Sequence, residues 1–361
     1  MTTATSLILG IETSCDETAA AVVHGGTTVL SSVIASQHDL HEEFQGVVPE
    51  IASRAHAERI LPVVRAAVAE AGVAMRDLTG IAVGNRPGLI GSLLVGVGAA
   101  KALAWSLGVP LVGVDHVQAH LYAGLMNAAA APAVPAVEFP ALGLVVSGGH
   151  TSLFLMQSPV DVAIVGATID DAIGEAYDKV ASMLGLGFPG GPAVDRLAQA
   201  GDARRFSLPV STLGRESLDF SFSGLKTAVR YAAFGVPKRD EIARVAHDRL
   251  SEVDRRDLCA AFQHAAIRAV ETKIGRAFTR FPQVRTLLIG GGVSANSLLR
   301  ERMSCLVGQV RVVLPSVGLS LDNGAMIAGL GTQLLESGCA GTLSLGAFPN
   351  SSIPQIQEYS S

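Results

Sequence analysis

This 361-residue sequence is short of charge, of aromatic rings and of cysteine, and each shortage closes off a class of function. Charged residues make up only 16% and the net charge is −5, so the chain as a whole is no electrostatic sponge for nucleic acid. Any RNA contact must use a local basic patch or a partner's surface. Aromatics are 5%, with one tryptophan, too few for a base-stacking platform. The four cysteines, Cys15, Cys259, Cys305 and Cys339, form no CxxC pair. They read as reduced thiols of a cytosolic protein, not as a disulfide frame or a zinc ribbon. The opening Met1-Thr2-Thr3-Ala4-Thr5 lacks the basic and apolar regions of a signal peptide. The apolar run Leu89 to Leu107 is broken by glycine and serine and carries Lys101, so it reads as a buried helix, and no membrane is expected.

What is plentiful is apolar residues, at 49%, and glycine, with 39. These suit large cores and many tight turns in two domains, or in two lobes of one enzyme. The pattern along the chain is a duplication. Leu7–Ile11, Ala19–Val23 and Val29–Ile34 read as three strands joined by polar or glycine turns. Leu142–Val146, Leu153–Met156 and Val162–Val165 repeat them. Each copy closes with strand, helix, strand, helix. In the first these are Gly80–Gly84, Ser92–Leu107, Leu111–Val114 and a helix at His116. In the second they are Thr286–Ile289, Asn296–Leu306, Val310–Leu314 and a helix opening at Asp322. The expected organisation is a first lobe over 1–126, an Ala/Pro linker over 127–140, a second lobe over 141–345 with a helical insertion at about 170–279, and a tail over 346–361.

In the helix after Asp115, His116 and His120 are four apart and share one face, the spacing at which two imidazoles hold a divalent metal. A metalloprotease would need Glu as the second residue of this motif, and Val117 stands there. If the two halves face each other about a pseudo-twofold axis, the helix at Asp322 lies opposite. One carboxylate then joins two imidazoles, a set that leaves coordination positions open, as catalytic metals require. The plainer alternatives are a satisfied pair of helix histidines and, for Asp322, a helix N-cap.

Polar turns border the same cleft. Ser147-Gly148-Gly149-His150-Thr151 offers backbone N–H groups and hydroxyls to a phosphate. Its counterpart holds Glu12 and Asp16, which could bind a cation, steer a phosphate or only bond within the turn. Asp178 and Asp195 flank the bend Phe188-Pro189-Gly190-Gly191-Pro192 and suit ribose hydroxyls. Asn296, after Gly290–Ser294, suits an adenine or ribose, or a helix N-cap.

Taken as a set, Gly10-Ile11-Glu12-Thr13-Ser14-Cys15-Asp16-Glu17-Thr18, Gly46–Glu50 with Ser53–His56, Ser147–Thr151, Phe188–Pro192, Asp219–Lys226, Gly291–Asn296 and Asp322–Ala328 resemble the bacterial TsaD-type tRNA N6-adenosine threonylcarbamoyltransferase family. The resemblance runs from about Leu7 to Ala328. It implies an α/β, actin-like (ASKHA) fold of two RNase H-like lobes with a cleft between them and a helical insertion in the second. It implies metal ligation by His116, His120 and Asp322, with iron(II) ahead of zinc, and an adenylate or ATP-type nucleotide in the cleft. Val145, Val146, Ser147, Gly148, Gly149, Asp178, Gly191, Asp195 and Asn296 match its substrate-binding positions, and Asp16 is a candidate general base. Two stretches depart from the family pattern, Gln118-Ala119 between the histidines and Arg86 before Pro87-Gly88. The resemblance further implies transfer of threonylcarbamoyl from threonylcarbamoyl-AMP, made by a separate synthase, to adenosine 37 of tRNA. Its expected partners are a TsaB-like paralogue and a TsaE-like ATPase, and its expected location is the cytoplasm. The competing readings are a carbamoyltransferase acting on a non-tRNA nucleophile and a non-catalytic scaffold paralogue, which would lack the His/His/Asp set.

Overall fold

The computed structural model describes residues 6–44, 46–128, 136–235, 250–305 and 310–356. Its first sheet contains β1 (Leu7–Glu12), β2 (Glu17–His24), β3 (Thr28–Ser36), β4 (Gly80–Arg86), β5 (Leu111–Asp115) and the short β6 (Asn127–Ala128). The helices of this half are α1 (His38–His41), α2 (Pro49–Glu70), α3 (Ile90–Leu107) and α4 (His116–Tyr122). The second sheet contains β7 (Ala141–Val146), β8 (Thr151–Met156), β9 (Val162–Ala167), β10 (Thr286–Gly290) and β11 (Arg311–Val313). Its helices are α5 (Ile173–Leu184), α6 (Gly190–Ala198), α7 (Ser223–Phe234), α8 (Glu252–Arg280), α9 (Ser297–Ser304), α10 (Val317–Ser320) and α11 (Gly324–Glu336).

The strand orders are β5-β4-β1-β2-β3-β6 and β11-β10-β7-β8-β9. The second is the first repeated, with an antiparallel meander on one side and parallel strands on the other. Strands β1, β7 and β10 are almost wholly buried, as expected of strands covered on both faces. The stretch expected to be a linker begins as β6, paired in parallel with β3, and residues 129–135 lie outside the described ones.

Each sheet carries long helices on its outer face, α2 and α3 on the first and α5 to α8 on the second. Between the sheets lie α4 and α11, and they exchange places. Helix α11, late in the sequence, packs across β1, β2, β4 and β5. Helix α4, from the first half, packs on β7 and β10. Glycines permit this close approach. A Cβ on Gly10 would collide with the Gly324 carbonyl, and one on Gly290 with the His120 carbonyl. Residues Gly324 to Thr332 are buried on every side, so α11 is apolar all round, as a helix between two sheets must be. The halves are therefore interlocked, and the N-terminal ends of α4 and α11 meet.

Candidate metal centre and substrate cavity

Helix α4 starts where it does because Asp115 caps it, its Oδ1 accepting from the N–H groups of Val117 at 3.0 Å and Gln118 at 3.2 Å. A second bond, from Ser351 Oγ to Asp115 Oδ2 at 2.6 Å, fixes the cap. Val117 and Leu121 pack toward the second sheet and Ala119 and Tyr122 toward α11, which leaves His116 and His120 on the remaining face. The cap of α11 is Asn323, whose Oδ1 accepts from Met326 N at 2.9 Å. Asp322 is thus not the cap, and its side chain turns to the histidines. Its Oδ1 lies 3.1 Å from His120 Nε2 and 3.6 Å from His116 Nε2, and the two Nε2 atoms are 3.2 Å apart.

These donors fit a metal. Ligand atoms about 2.0–2.1 Å from a tetrahedral ion stand roughly 3.4 Å from one another, and the three separations here bracket that value. The tautomer also fits. His116 Nδ1–H donates to Glu12 Oε2 at 3.0 Å, with Ser14 Oγ 3.2 Å away, and a carboxylate can only accept. In the neutral ring the lone pair of His116 is therefore on Nε2, facing His120 Nε2 and Asp322 Oδ1, and the carboxylate behind it raises its basicity. The electrostatics call for positive charge at this point. Burial disfavours an imidazolium, yet Asp322 and Glu12 outweigh it and lift His116 to about 10. Burial likewise opposes charge on Asp322, but the two imidazoles hold its carboxyl well below the usual range.

His116 and Asp322 form part of the wall of a cavity of about 1360 Å³. Ser147, Gly148 and Gly149 line it, and the turn is tied by Ser147 N–H donating to His150 O at 2.8 Å. His150, the fourth residue of that turn, also lines the cavity. Burial and the nearby His116 and His120 push it down to about 4, so it stays neutral beside them. Its only signal in the sequence is a histidine within a glycine turn. Asp16, Glu17 and His38 border the same space, with His38 Nε2 3.3 Å from Glu17 Oε1 and 3.7 Å from Asp16 Oδ2. Burial, then the Asp16 and Asp322 charges, raise the Cys15 thiol and so disfavour its thiolate.

Other residues expected to meet substrate are placed otherwise. Glu12 is fully buried behind His116, not in the cavity. Val145 and Val146 turn their side chains into the two cores flanking the second sheet. Only the backbone that they continue into Ser147 reaches the cavity. Asp178 does line it, and its Oδ1 accepts from Gly190 N at 2.8 Å at the start of α6, where Gly191 stands. Asp195 Oδ2 accepts from Ser297 N at 3.0 Å, and its Oδ1 accepts from Ser297 Oγ at 2.7 Å and Gln263 Nε2 at 3.0 Å. Asn296 caps α9 through Leu299 N at 3.0 Å, and its amide donates to Gln263 Oε1 at 2.9 Å and Tyr177 Oη at 3.3 Å. The capping alternative for Asn296 is therefore realised. Gln263 and Tyr177, which complete this buried network, were not legible in the sequence.

Arg86 stacks its guanidinium over Phe348 at 4.3 Å, and Gln118 donates to Pro159 O at 2.8 Å, so both departures from the family pattern are engaged structurally.

A family model described as tRNA N6-adenosine threonylcarbamoyltransferase matches residues 28–329. A curated protein of that name from Sorangium cellulosum is 47% identical over 360 residues, covering 97% of both chains. One from Geobacillus kaustophilus is 47% identical over 346 residues, 95% of this chain and 96% of that protein. Among solved structures, HypF from T. kodakarensis is similar with a TM-score of 0.58 at 15% identity. The match spans 92% of this chain and 48% of HypF, a likeness of fold alone.

Proposed function

This chain belongs to the tRNA N6-adenosine threonylcarbamoyltransferase family, and from that premise we propose that it transfers threonylcarbamoyl from threonylcarbamoyl-AMP to the exocyclic amine of adenosine 37, in tRNAs reading codons that start with A. The observation that carries this reading is the meeting of His116, backed by Glu12, with His120 and Asp322 on a cavity that Ser147–Gly149 also line.

Iron(II), with zinc as the second choice, held by His116, His120 and Asp322 would supply a Lewis acid that polarises the threonylcarbamoyl group. Glu12 keeps the proton on His116 Nδ1, so Nε2 stays free to ligate. The turn at Ser147–Gly149 offers its backbone and hydroxyl to the adenylate phosphate, the group that carries charge as the acyl bond breaks. The adenosine amine nitrogen forms the new bond to the carbamoyl carbon, the carbon–oxygen bond to phosphate breaks, and AMP leaves with the electron pair. Asp16, on the cavity wall, takes the proton released by the amine. Asp178 and the α6 turn at Gly191 border the nucleotide's sugar, with Asp195 and Asn296 supporting them from behind.

The separate synthase supplies the adenylate, and a TsaE-like ATPase and a TsaB-like paralogue assist. Helix α3 suits the paralogue. Its outer face exposes Ile90, Leu94 and Trp105, the last at 76%. Their spacing places the α3 residues in one stripe, an apolar surface of the kind partners cover. We place the reaction in the cytoplasm, where α3 serves as a packed helix against α2 and β4.

The test is reconstitution. The chain, the partners, the synthase, threonine, bicarbonate, ATP and unmodified tRNA are combined, and the digested tRNA is analysed by mass spectrometry for the modified nucleoside. Formation by the natural chain and its loss in His116→Ala support the reading. No product, or equal product from His116→Ala, refutes it.

A further inference from the structure

The turn that brings Ser14, Cys15 and Asp16 to the cavity is held from outside by a succession of hydrogen bonds. Thr13 Oγ1 donates to Ser92 O of α3 at 2.9 Å. Leu89 N, at the head of α3, donates to Ser14 O at 2.8 Å, and Gln37 N donates to Asp16 O at 3.1 Å. Between them, His56 of α2 lies with Nε2 3.0 Å from Cys15 O. Three consecutive carbonyls are thus gripped by three separate parts of the chain. Two of the grips are backbone amides. The middle one is a side chain.

The state of that side chain follows from its partners. A carbonyl only accepts, so Nε2 carries the proton, and Nδ1 accepts from the Thr18 hydroxyl at 2.8 Å. His56 is completely buried, and burial lowers its pKa, in keeping with a neutral ring. With both nitrogens engaged, the ring has one orientation. His120 differs, because its Nδ1 is buried without a hydrogen-bond partner among the described residues.

We propose that His56 is a positioning residue of the transfer site, whose grip on the Cys15 carbonyl sets where the Ser14 hydroxyl and the Asp16 carboxylate stand in the cavity. The inference rests on the transfer reaction proposed above. Releasing the Cys15 carbonyl lets its peptide rotate, and that rotation carries the residues on either side. Ser14 then leaves His116 Nδ1, and Asp16 leaves the proton it is to receive. His56 is not among the residues that line the cavity, so its loss is read in turnover more than in binding.

The test compares His56→Leu, which keeps the bulk and loses both bonds, with His56→Gln, whose amide N–H can reach the same carbonyl. His56→Leu is expected to lower kcat by roughly 10- to 100-fold, the cost of misplacing a reacting group by about 1 Å, with both KM values within about twofold and bound metal unchanged. His56→Gln recovers most of the loss, even if its Tm is no higher than that of His56→Leu. Thr18→Val, which frees one side of the ring, falls between. Equal losses in the Leu and Gln variants that follow their Tm values, or natural kcat in His56→Leu, overturn the proposal. Amide hydrogen exchange at Cys15 and Asp16 supplies a readout without the reaction. Faster exchange in His56→Leu supports the grip and unchanged exchange overturns it, whether or not the natural chain forms the modified nucleoside.

Discussion

Two clusters of histidine and carboxylate border one cavity, and they differ in what stands behind them. His116, His120 and Asp322 bring three ligand atoms together within 3.6 Å. Their imidazoles are buried, one backed by Glu12, on a helix capped by Asp115 and pressed against Gly290. Asp16, Glu17 and His38 also come close, at 3.3 and 3.7 Å from His38 Nε2. But His38 rides on the four-residue α1 with its side chain 41% exposed. A group of donors becomes a metal site when its support fixes tautomer and direction before the ion arrives. By that criterion the first cluster fits a ligand set, and the second is a polar wall of the cavity.

Substituting each cluster in turn is the strongest way to break this comparison. His116→Ala, His120→Ala or Asp322→Asn should each abolish stoichiometric metal and lower transfer by roughly 1000-fold or more, given the several kcal/mol a catalytic metal supplies. His38→Ala and Asp16→Asn should retain one ion per chain by elemental analysis, whatever they do to turnover. Loss of the ion in His38→Ala would erase the distinction between the clusters.

Removing the support and leaving the ligands is a finer cut. Glu12→Gln keeps the shape of the side chain and can still accept from His116 Nδ1, but it withdraws the negative charge. Metal affinity measured by chelator competition should fall about 10- to 100-fold, with the fold intact by circular dichroism. An unchanged affinity would mean that convergence of the three donors suffices by itself.

The two clusters also differ in how readable they were. His116 and His120 announced themselves by a spacing of four, and the internal repeat placed Asp322 opposite them. The repeat was visible because a strand meander and a β-α-β unit each leave a periodic trace. Nothing local marked the supports. Glu12 is 104 residues from the histidine it backs, and His56 is 41 from the carbonyl it grips. Such pairings exist only once the sheets have formed. Asp195 and Asn296 show the opposite difficulty. A short polar side chain beside a glycine bend looks alike whether it holds a ribose or caps a helix, and here the free N–H groups of α9 claim both. The exchange of α4 and α11 between the sheets was hidden for a third reason. An all-apolar helix does not say which sheet it will lie on, and the deciding contacts are made by glycines.

The smallest expected effect concerns Glu17, whose burial in the second cluster shows as a dependence on pH. Burial raises its carboxyl most, the hydrogen bond from His38 works against that, and the Asp322 and Asp16 charges add to the rise, bringing it to about 8 from 4.5. In the unfolded chain the same group ionises near 4.5. The stability it contributes is therefore fully present below pH 4.5 and is lost as pH rises through 8. Glutamine has no proton to release, so Glu17→Gln should gain stability relative to the natural chain as pH rises from 5 to 8. Urea unfolding of both proteins at the two pH values measures the difference, and parallel behaviour would show that Glu17 ionises normally in the folded state. His38→Ala sharpens the result. It removes the hydrogen bond that lowers Glu17, so the His38→Ala chain should lose more stability across the same window than a Glu17→Gln, His38→Ala double variant.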